Sequence, residues 1–261
     1  MSRLRARCPV CNSHTAVAME GVYECHVCGR VFGAGLVRVP RAWGTGGDAM
    51  EEAANLPLAF PETNVVVERT LGEQTLSLAS DLPERPLVLG GCCCVHIGAV
   101  EGLAARHDRV AVIWLDAHGD LNTPESSPSG NPWGMPLRTL IDDGAVAVKD
   151  VALVGARDLD PPEEEFIASS GLALGAAGIE RALDGADGAY VALDWDVLDP
   201  EDSIAFFNVP DGLQLAEVSE LLAEVAERST VLGFGVSGLV PHPDNVAKIE
   251  RLAAALGLAP A

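Results

Sequence analysis

The stretch 110-VAVIWLDAHGD-120 decides how this sequence folds, because an apolar run ends in it and polar chemistry begins. Val110–Leu115 is continuously apolar over the length of one strand, which is typical of a strand buried on both faces. Directly after it, Asp116, His118 and Asp120 stand two residues apart, so in extended chain they point the same way. The stretch therefore predicts a buried strand whose carboxyl end carries polar ligands.

The same pattern repeats along the chain. Strand–helix alternation with continuously apolar strands predicts a mainly parallel sheet with helices on each side, an α/β fold. Residues 43–85 show little regular pattern beyond a short helix at about 49–54. The other predicted strands are 86–91, 151–154, 190–193 and 231–235, and the predicted helices are 95–106, 162–169, 215–228 and 245–255.

Acidic residues and a cysteine follow two more of these strands. The segment 193-LDWDVLDP-200 supplies Asp194 and Asp196, and 90-GGCCCVHIG-98 supplies Cys93. Carboxylates at this density repel one another, so cations are their natural partners, and two facing segments can hold two divalent ions. Solvated turn aspartates would explain one such segment, but not two with a cysteine beside them.

These motifs, together with 116-DAHGDLNTPESSPSGNPWGMPL-137, resemble the arginase branch of the ureohydrolase family over roughly residues 86–240. The resemblance implies a three-layer α/β/α sandwich, two divalent metals, usually Mn²⁺, and hydrolysis of guanidino-like C–N bonds. It implies the following metal ligands: Asp116, His118, Asp120, Asp194 and Asp196, with Asp116 and Asp194 bridging the two ions.

Cys93 stands where the family has its first histidine ligand. Relatives resembling the hydroxyarginine-hydrolysing branch also carry cysteine there, which favours a thiolate ligand. A softer ligand shifts metal preference from Mn²⁺ toward Zn²⁺, Fe²⁺ or Co²⁺. The alternative is a buried, inert cysteine triplet.

The resemblance also implies roles in catalysis and substrate binding. Two cations lower the pKa of a shared water, and the resulting hydroxide attacks the guanidino-like carbon. Asp120 would accept the proton and pass it to the leaving amine, and His118, also a metal ligand, is the second catalytic residue. The substrate would be a small α-amino acid, held by Asn122, Ser129 and Asn131 at its carboxylate and by Asp160 at its ammonium, with Glu163 nearby. Simple turn chemistry remains the alternative for this loop.

Two positions depart from the family pattern. Trp133 replaces a proton-shuttling histidine, and Gly238 replaces the glutamate that holds the guanidinium. Losing a charge-assisted hydrogen bond costs about 1.5–3 kcal/mol. We therefore expect a modified or N-hydroxylated guanidine rather than plain arginine. The alternative is a catalytically inactive relative that regulates or binds a partner.

The first 42 residues carry a separate motif, 8-CPVC-11 and 25-CHVC-28. Four thiolates in two tight turns, from Cys8, Cys11, Cys25 and Cys28, can hold one Zn²⁺. So short a segment cannot bury enough apolar surface to fold alone, so we expect a structural zinc. The sequence thus predicts a zinc-ribbon-like head, 1–42, and an arginase-like domain, 43–261. The arginines of the head favour its docking on the acidic body or on a neighbouring subunit, and nucleic-acid binding by the head is the alternative.

Composition narrows the setting. Thirty-eight acidic against 17 basic residues give a formal charge of −21, which argues against nucleic-acid binding over the general surface. No apolar stretch approaches the roughly 18 residues of a membrane span, and no secretory signal is evident, so we expect a cytoplasmic protein. A homo-oligomer, a trimer or hexamer, is expected from the family resemblance.

Overall fold

The computed structural model describes residues 5–259, which form two sheets. An eight-stranded sheet, here the body sheet, has the order β10-β9-β8-β11-β12-β7-β5-β6, and a four-stranded sheet, the head sheet, has the order β1-β2-β3-β4. The strands are β1 Arg5–Ala6, β2 Ala16–Met19, β3 Val22–Cys25, β4 Val31–Phe32, β5 Gly35–Val39, β6 Glu62–Val65, β7 Pro86–Gly90, β8 Val110–Leu115, β9 Val151–Val154, β10 Ala173–Leu174, β11 Gly188–Asp194 and β12 Val231–Ser237.

Helices cover both faces of the body sheet. They are α1 Asp48–Ala53, α2 Leu71–Asp81, α3 Val95–Ala104, α4 Pro136–Asp142, α5 Pro161–Ser170, α6 Ala177–Leu183, α7 Leu215–Arg228 and α8 Pro243–Ala255. Among residues 5–259, no helix combines the length and the apolar character needed to cross a bilayer.

Every strand pair in the body sheet is parallel. Successive side chains of a strand point to opposite faces, and two hydrophobic cores result. In β8, Ile113 and Leu115 enter the core under α6, α7 and α8, whereas Val112 and Trp114 enter the core under α2, α3 and α4. The predicted three-layer α/β/α architecture is confirmed.

The head sheet is antiparallel and continues onto the edge of the body sheet. Arg7 and Glu62 exchange two backbone hydrogen bonds, of 2.9 and 3.0 Å. The Tyr23 hydroxyl donates to the Glu84 carbonyl at 3.2 Å. β5 lies inside the body sheet although its residues fall within the predicted head, so the chain passes from one sheet to the other between Phe32 and Gly35.

Several elements of the body have no sequence-based prediction, namely β5, β6, β10, α2, α4 and α6. Of these, β6 and α2 lie in the irregular segment 43–85. There, α2 begins at a capping box: the Thr70 hydroxyl accepts from the Glu73 amide at 3.2 Å, and the Glu73 carboxylate accepts from the Thr70 amide at 3.1 Å. Residues 70–73 carry the sequence signature of a capping box, which marks the start of a helix. The helix that follows has only a short apolar face.

Candidate active site

The carboxyl ends of four neighbouring strands meet at one edge of the body sheet. The strand order β8-β11-β12-β7 places residues that follow these strands side by side, although they are far apart in the sequence. Cys93 follows β7, Asp116 follows β8, Asp194 ends β11 and Ser237 ends β12. The site therefore lies where parallel sheets place their sites.

Two groups of ligand-type side chains overlap at this edge. Cys93, Asp116 and Asp120 bring their ligand atoms within 4.8 Å of one another, and so do Asp116, His118 and Asp196. Asp116 belongs to both groups, and the Cys93 thiol lies 2.7 Å from the Asp194 carboxylate. We call the six residues Cys93, Asp116, His118, Asp120, Asp194 and Asp196 the ligand cluster; they are the six residues that the sequence predicted as metal ligands.

The donor set fits divalent cations. The four aspartates are at most 7% exposed, and within residues 5–259 the buried Oδ2 of Asp120 has no hydrogen-bond partner. Burial raises the pKa of Asp194 to about 7, and burial together with the neighbouring carboxylates raises that of Asp120 well above its usual value. A buried carboxylate oxygen without a partner is costly unless a cation approaches it.

Asp120 also has an unusual backbone. Its φ is +52°, a left-handed conformation that few side chains adopt readily. Such strain persists where the surrounding structure over-determines it, and it is concentrated at functional sites. The conformation turns the chain so that Asp116 and Asp120 face the same thiol.

His118 faces the same carboxylates from the solvent side. Its Nδ1 lies 3.1 Å from Asp196 and 3.4 Å from Asp116. Although burial lowers it, hydrogen bonding to these two carboxylates raises the pKa of His118 to about 12. The imidazole nitrogen thus points to the place where a cation between the two aspartates would lie.

The predicted substrate residues line a cavity of about 320 Å³ above the ligand cluster. The Asn131 amide oxygen accepts from the Thr45 backbone at 3.0 Å, which orients its amide nitrogen as a remaining donor. The Asn122 amide donates to the Asp160 carboxylate at 2.8 Å. The structure therefore places Asn122, Ser129, Asn131, Trp133 and Asp160 around one cavity.

Glu163 connects this loop to α5. Its two carboxylate oxygens accept from the amides of Leu121 and Asp160, each at 2.9 Å. A Cβ on Gly119 would stand 2.7 Å from this carboxylate. Glycine at this position therefore leaves room for Glu163 to reach the loop. Glu163 holds the acidic loop in place and is itself 3% exposed.

Comparisons with known proteins agree with this geometry. A family model described as the arginase family matches residues 46–259. The chain belongs to the arginase family. Arginase from Staphylococcus aureus (strain MRSA252) is 37% identical over 192 residues, covering 62% of this chain and 64% of that protein, so the chain spans less than two thirds of this curated relative.

Solved structures show the same fold. The crystal structure of arginase from Bacillus cereus superposes with a TM-score of 0.72 at 26% identity, covering 85% of this chain and 97% of that one. Proclavaminate amidino hydrolase from Streptomyces clavuligerus shares the fold with a TM-score of 0.68 at 21% identity, covering 87% and 91%.

One end of the cavity in this arginase-family chain is aromatic. Trp133, Phe206 and Phe207 pack edge to face, with ring centroids 4.8–6.3 Å apart, and we call them the aromatic wall. Phe207 is 43% exposed and lies 5.8 Å from the His118 ring. Neither phenylalanine was predicted from the sequence, although two adjacent phenylalanines follow the second acidic motif.

Gly238 lies beside the ligand cluster. Its φ is +74°, and a Cβ there would overlap the Asp194 carboxylate. The backbone at this position therefore lies so close to the Asp194 carboxylate that only glycine fits there. A carboxylate cannot replace Gly238 without moving this strand end.

The four head cysteines lie outside the range matched by the family model. Their sulfurs lie within 4.8 Å of one another, with Cys8 3.7 Å from Cys28 and Cys11 3.5 Å from Cys25. A tetrahedron with ~2.3 Å zinc–sulfur bonds has edges of about 3.8 Å, so this spacing suits Zn²⁺. Hydrogen bonds to the Cys25 sulfur lower its pKa to about 5, and the bond from the Thr15 hydroxyl contributes most.

Proposed function

We propose that this chain is a two-metal hydrolase of guanidino-like C–N bonds in the side chain of an α-amino acid. The observation that carries the proposal is the sharing of Asp116 by two ligand groups at the base of a cavity. The relatives named arginase support the reaction class.

The ligand cluster would hold both metals. Cys93, Asp116, Asp120 and Asp194 would hold one, and Asp116, His118, Asp194 and Asp196 the other. When bound, such a pair supplies Lewis-acid polarisation and a water whose pKa is near neutral. Manganese is the family's usual metal, and the Cys93 thiolate favours zinc, iron or cobalt.

The chain's own residues would handle the proton and the substrate head group. One carboxylate oxygen of Asp120 would face a metal, and the other would take a proton and return it to the departing amine. Asn131, oriented by Thr45, would donate to the substrate carboxylate together with Ser129. Asp160, steadied by Asn122, would accept from the ammonium group.

The distal end of the substrate would meet the aromatic wall. By resemblance to the family, Gly238 stands at the position of a guanidinium-binding glutamate, and Trp133 and Phe207 line the cavity beside it. The absence of a charged partner costs arginine binding free energy. It costs less for a less basic group, such as an N-hydroxyguanidine or another N-substituted guanidine. We therefore propose a modified guanidine as substrate.

A second candidate function is a binding or regulatory protein without turnover. Trp133 in place of the proton-shuttling histidine favours it, whereas the assembled ligand cluster favours catalysis. A hydrolase and a binding protein would have the same fold here, and only the hydrolase would release product from a substrate.

We further propose that the head is a structural zinc site docked on the body. The backbone pairing of Arg7 with Glu62 and the contact of Tyr23 with Glu84 support docking within the chain. Assembly into a trimer or hexamer is proposed from family membership.

A combined metal and product assay tests the proposal. Purified protein should contain one zinc for the head and two further divalent metals, and should release urea, hydroxyurea or ammonia from a panel of guanidino and N-hydroxyguanidino amino acids. Finding only the head zinc, with no stabilisation by Mn²⁺ or Co²⁺, would rule out the hydrolase. Finding all the metals with no product from the panel would favour the binding protein.

A further inference from the structure

Three buried polar side chains form a hydrogen-bonded chain behind the ligand cluster. The Tyr190 hydroxyl lies 2.9 Å from Nδ1 of His96, and Nε2 of His96 lies 3.3 Å from the Ser237 hydroxyl. All three residues are completely buried. We call them the buried triplet.

The surrounding backbone makes room for the triplet. A Cβ on Gly235 would overlap the Tyr190 hydroxyl and stand 2.7 Å from the His96 ring. Gly235 lies two residues before Ser237 on β12, and Tyr190 lies on the neighbouring strand β11. The packing of two adjacent strands is thus adapted to hold polar groups in a core.

The triplet has a defined hydrogen-bond direction. Among the contacts of residues 5–259, the Tyr190 hydroxyl has no acceptor other than His96, so it donates to Nδ1. Burial lowers the pKa of His96 to about 3, so the ring is neutral and its remaining hydrogen is on Nε2. Nε2 then donates to Ser237, whose single hydrogen must point onward.

That hydrogen points into the ligand cluster. The Ser237 hydroxyl lies 3.2 Å from the Asp194 carboxylate and 3.3 Å from the Cys93 thiol. Without metal, the thiol itself can donate to Asp194 across 2.7 Å. As a thiolate ligand Cys93 loses that hydrogen, and two negative groups then face each other with the single Ser237 hydrogen directed toward them.

We propose that Ser237, His96 and Tyr190 are positioning residues that hold Cys93 and Asp194 in the arrangement a metal requires. The proposal rests on the proposed function in one respect, that the ligand cluster binds metal. Partners behind metal ligands fix ligand orientation, and their loss typically weakens metal binding by 10–100-fold.

Cobalt titration of the full-length protein, with the head zinc retained, tests this proposal. Absorption from thiolate-to-Co²⁺ charge transfer reports binding at Cys93, and its loss in Cys93→Ser assigns the band. Ser237→Ala should weaken Co²⁺ binding by about 10–100-fold and shift the band. Tyr190→Phe, which removes one oxygen, should weaken binding by roughly 3–10-fold.

A double variant separates positioning from packing. If Tyr190 acts through Ser237, the Tyr190→Phe change should have no further effect on Co²⁺ affinity in the Ser237→Ala background. Tyr23→Phe removes a buried hydroxyl in the head and should leave the band and the affinity unchanged. Additive effects, or affinity in Ser237→Ala within twofold of the parent, would overturn the proposal. If Co²⁺ binds to the body without a Cys93-dependent band, this inference alone is overturned. If no Co²⁺ binds to the body, the proposed function fails and this inference fails with it.

Discussion

The thiol of Cys93 and the carboxylate of Asp194 lie 2.7 Å apart, although 101 positions separate them in the sequence. They meet because β7 and β11 both flank β12 in the body sheet. The pairing brings a soft sulfur ligand to a carboxylate that is proposed to bridge two metals. Metal preference should therefore depend on the residue at position 93.

Cys93→His restores the ligand type that the family usually carries. We expect the variant to lose preference for Zn²⁺ and Co²⁺ relative to Mn²⁺, because imidazole is a harder ligand than thiolate. Competition between Mn²⁺ and Zn²⁺, followed by metal analysis, measures the change. Cys94→Ala is the matched control, since Cys94 is buried in an apolar cluster with Met50. An unchanged Mn²⁺ to Zn²⁺ ratio would show that Cys93 is not a ligand.

Asp194 should make stability depend on pH when the ligand cluster holds no metal. Its folded-state pKa of about 7 lies above the ~3.9 of an unfolded aspartate, so folding favours the protonated form. This contribution is complete below about pH 4 and is lost as the pH rises to about 7. The pKa values of Asp120 and Asp196 are raised too, so they act in the same direction.

Thermal unfolding near pH 5 and near pH 7.5 checks this expectation. Protein holding only the head zinc should melt at a lower temperature at the higher pH, and Asp194→Asn should flatten that difference. Asp142→Asn, at a surface carboxylate, should not. Added Co²⁺ should restore stability most at the higher pH, where the ligands ionise readily. A parent protein that becomes more stable as the pH rises without metal would contradict the assignment.

Gly44 fixes the position of Trp133. A Cβ at Gly44 would overlap the Trp133 ring, so Gly44→Ala must displace the ring or the loop. If the aromatic wall orients the substrate, kcat/KM should fall by up to about 10²-fold, the effect of an ångström-scale misplacement. Gly72→Ala, where an added Cβ meets nothing, is the control. Unchanged kinetics in a displaced-ring variant would remove the aromatic wall from the proposal.

The sequence could predict that Cys93, Asp116 and Asp194 meet, because each lies at or within three residues of the end of a buried strand. Their roles as metal ligands are implied by the family resemblance. Neighbouring carboxyl ends then bring Asp116 and Asp194 together whatever the details of packing. It could not predict the buried triplet, because Tyr190 and Ser237 meet only through the pairing of β11 with β12. It also missed Phe206 and Phe207, which lie in an irregular segment without periodicity, where only tertiary packing turns a side chain toward the cavity.

Glu163 should matter more for stability than an ordinary capping residue does. Glu73 and Glu163 occupy the same position of a capping box, in α2 and α5, and each accepts from the backbone amide of its N-cap residue. Only Glu163 also accepts from the Leu121 amide, and it is buried, whereas the Glu73 contact is exposed. A glutamine keeps one acceptor oxygen and turns the other into a donor facing an amide.

Glu163→Gln should therefore lower the free energy of unfolding by about 1–3 kcal/mol, the cost of leaving a buried amide unsatisfied. Glu73→Gln should cost well under 1 kcal/mol, since water can replace its contact. Denaturant unfolding of both variants measures the difference. Because Leu121 directly follows Asp120, Glu163→Gln should also weaken metal binding, which calorimetric titration would detect. Equal losses in the two variants would show that Glu163 acts only as a helix cap and does not hold the acidic loop.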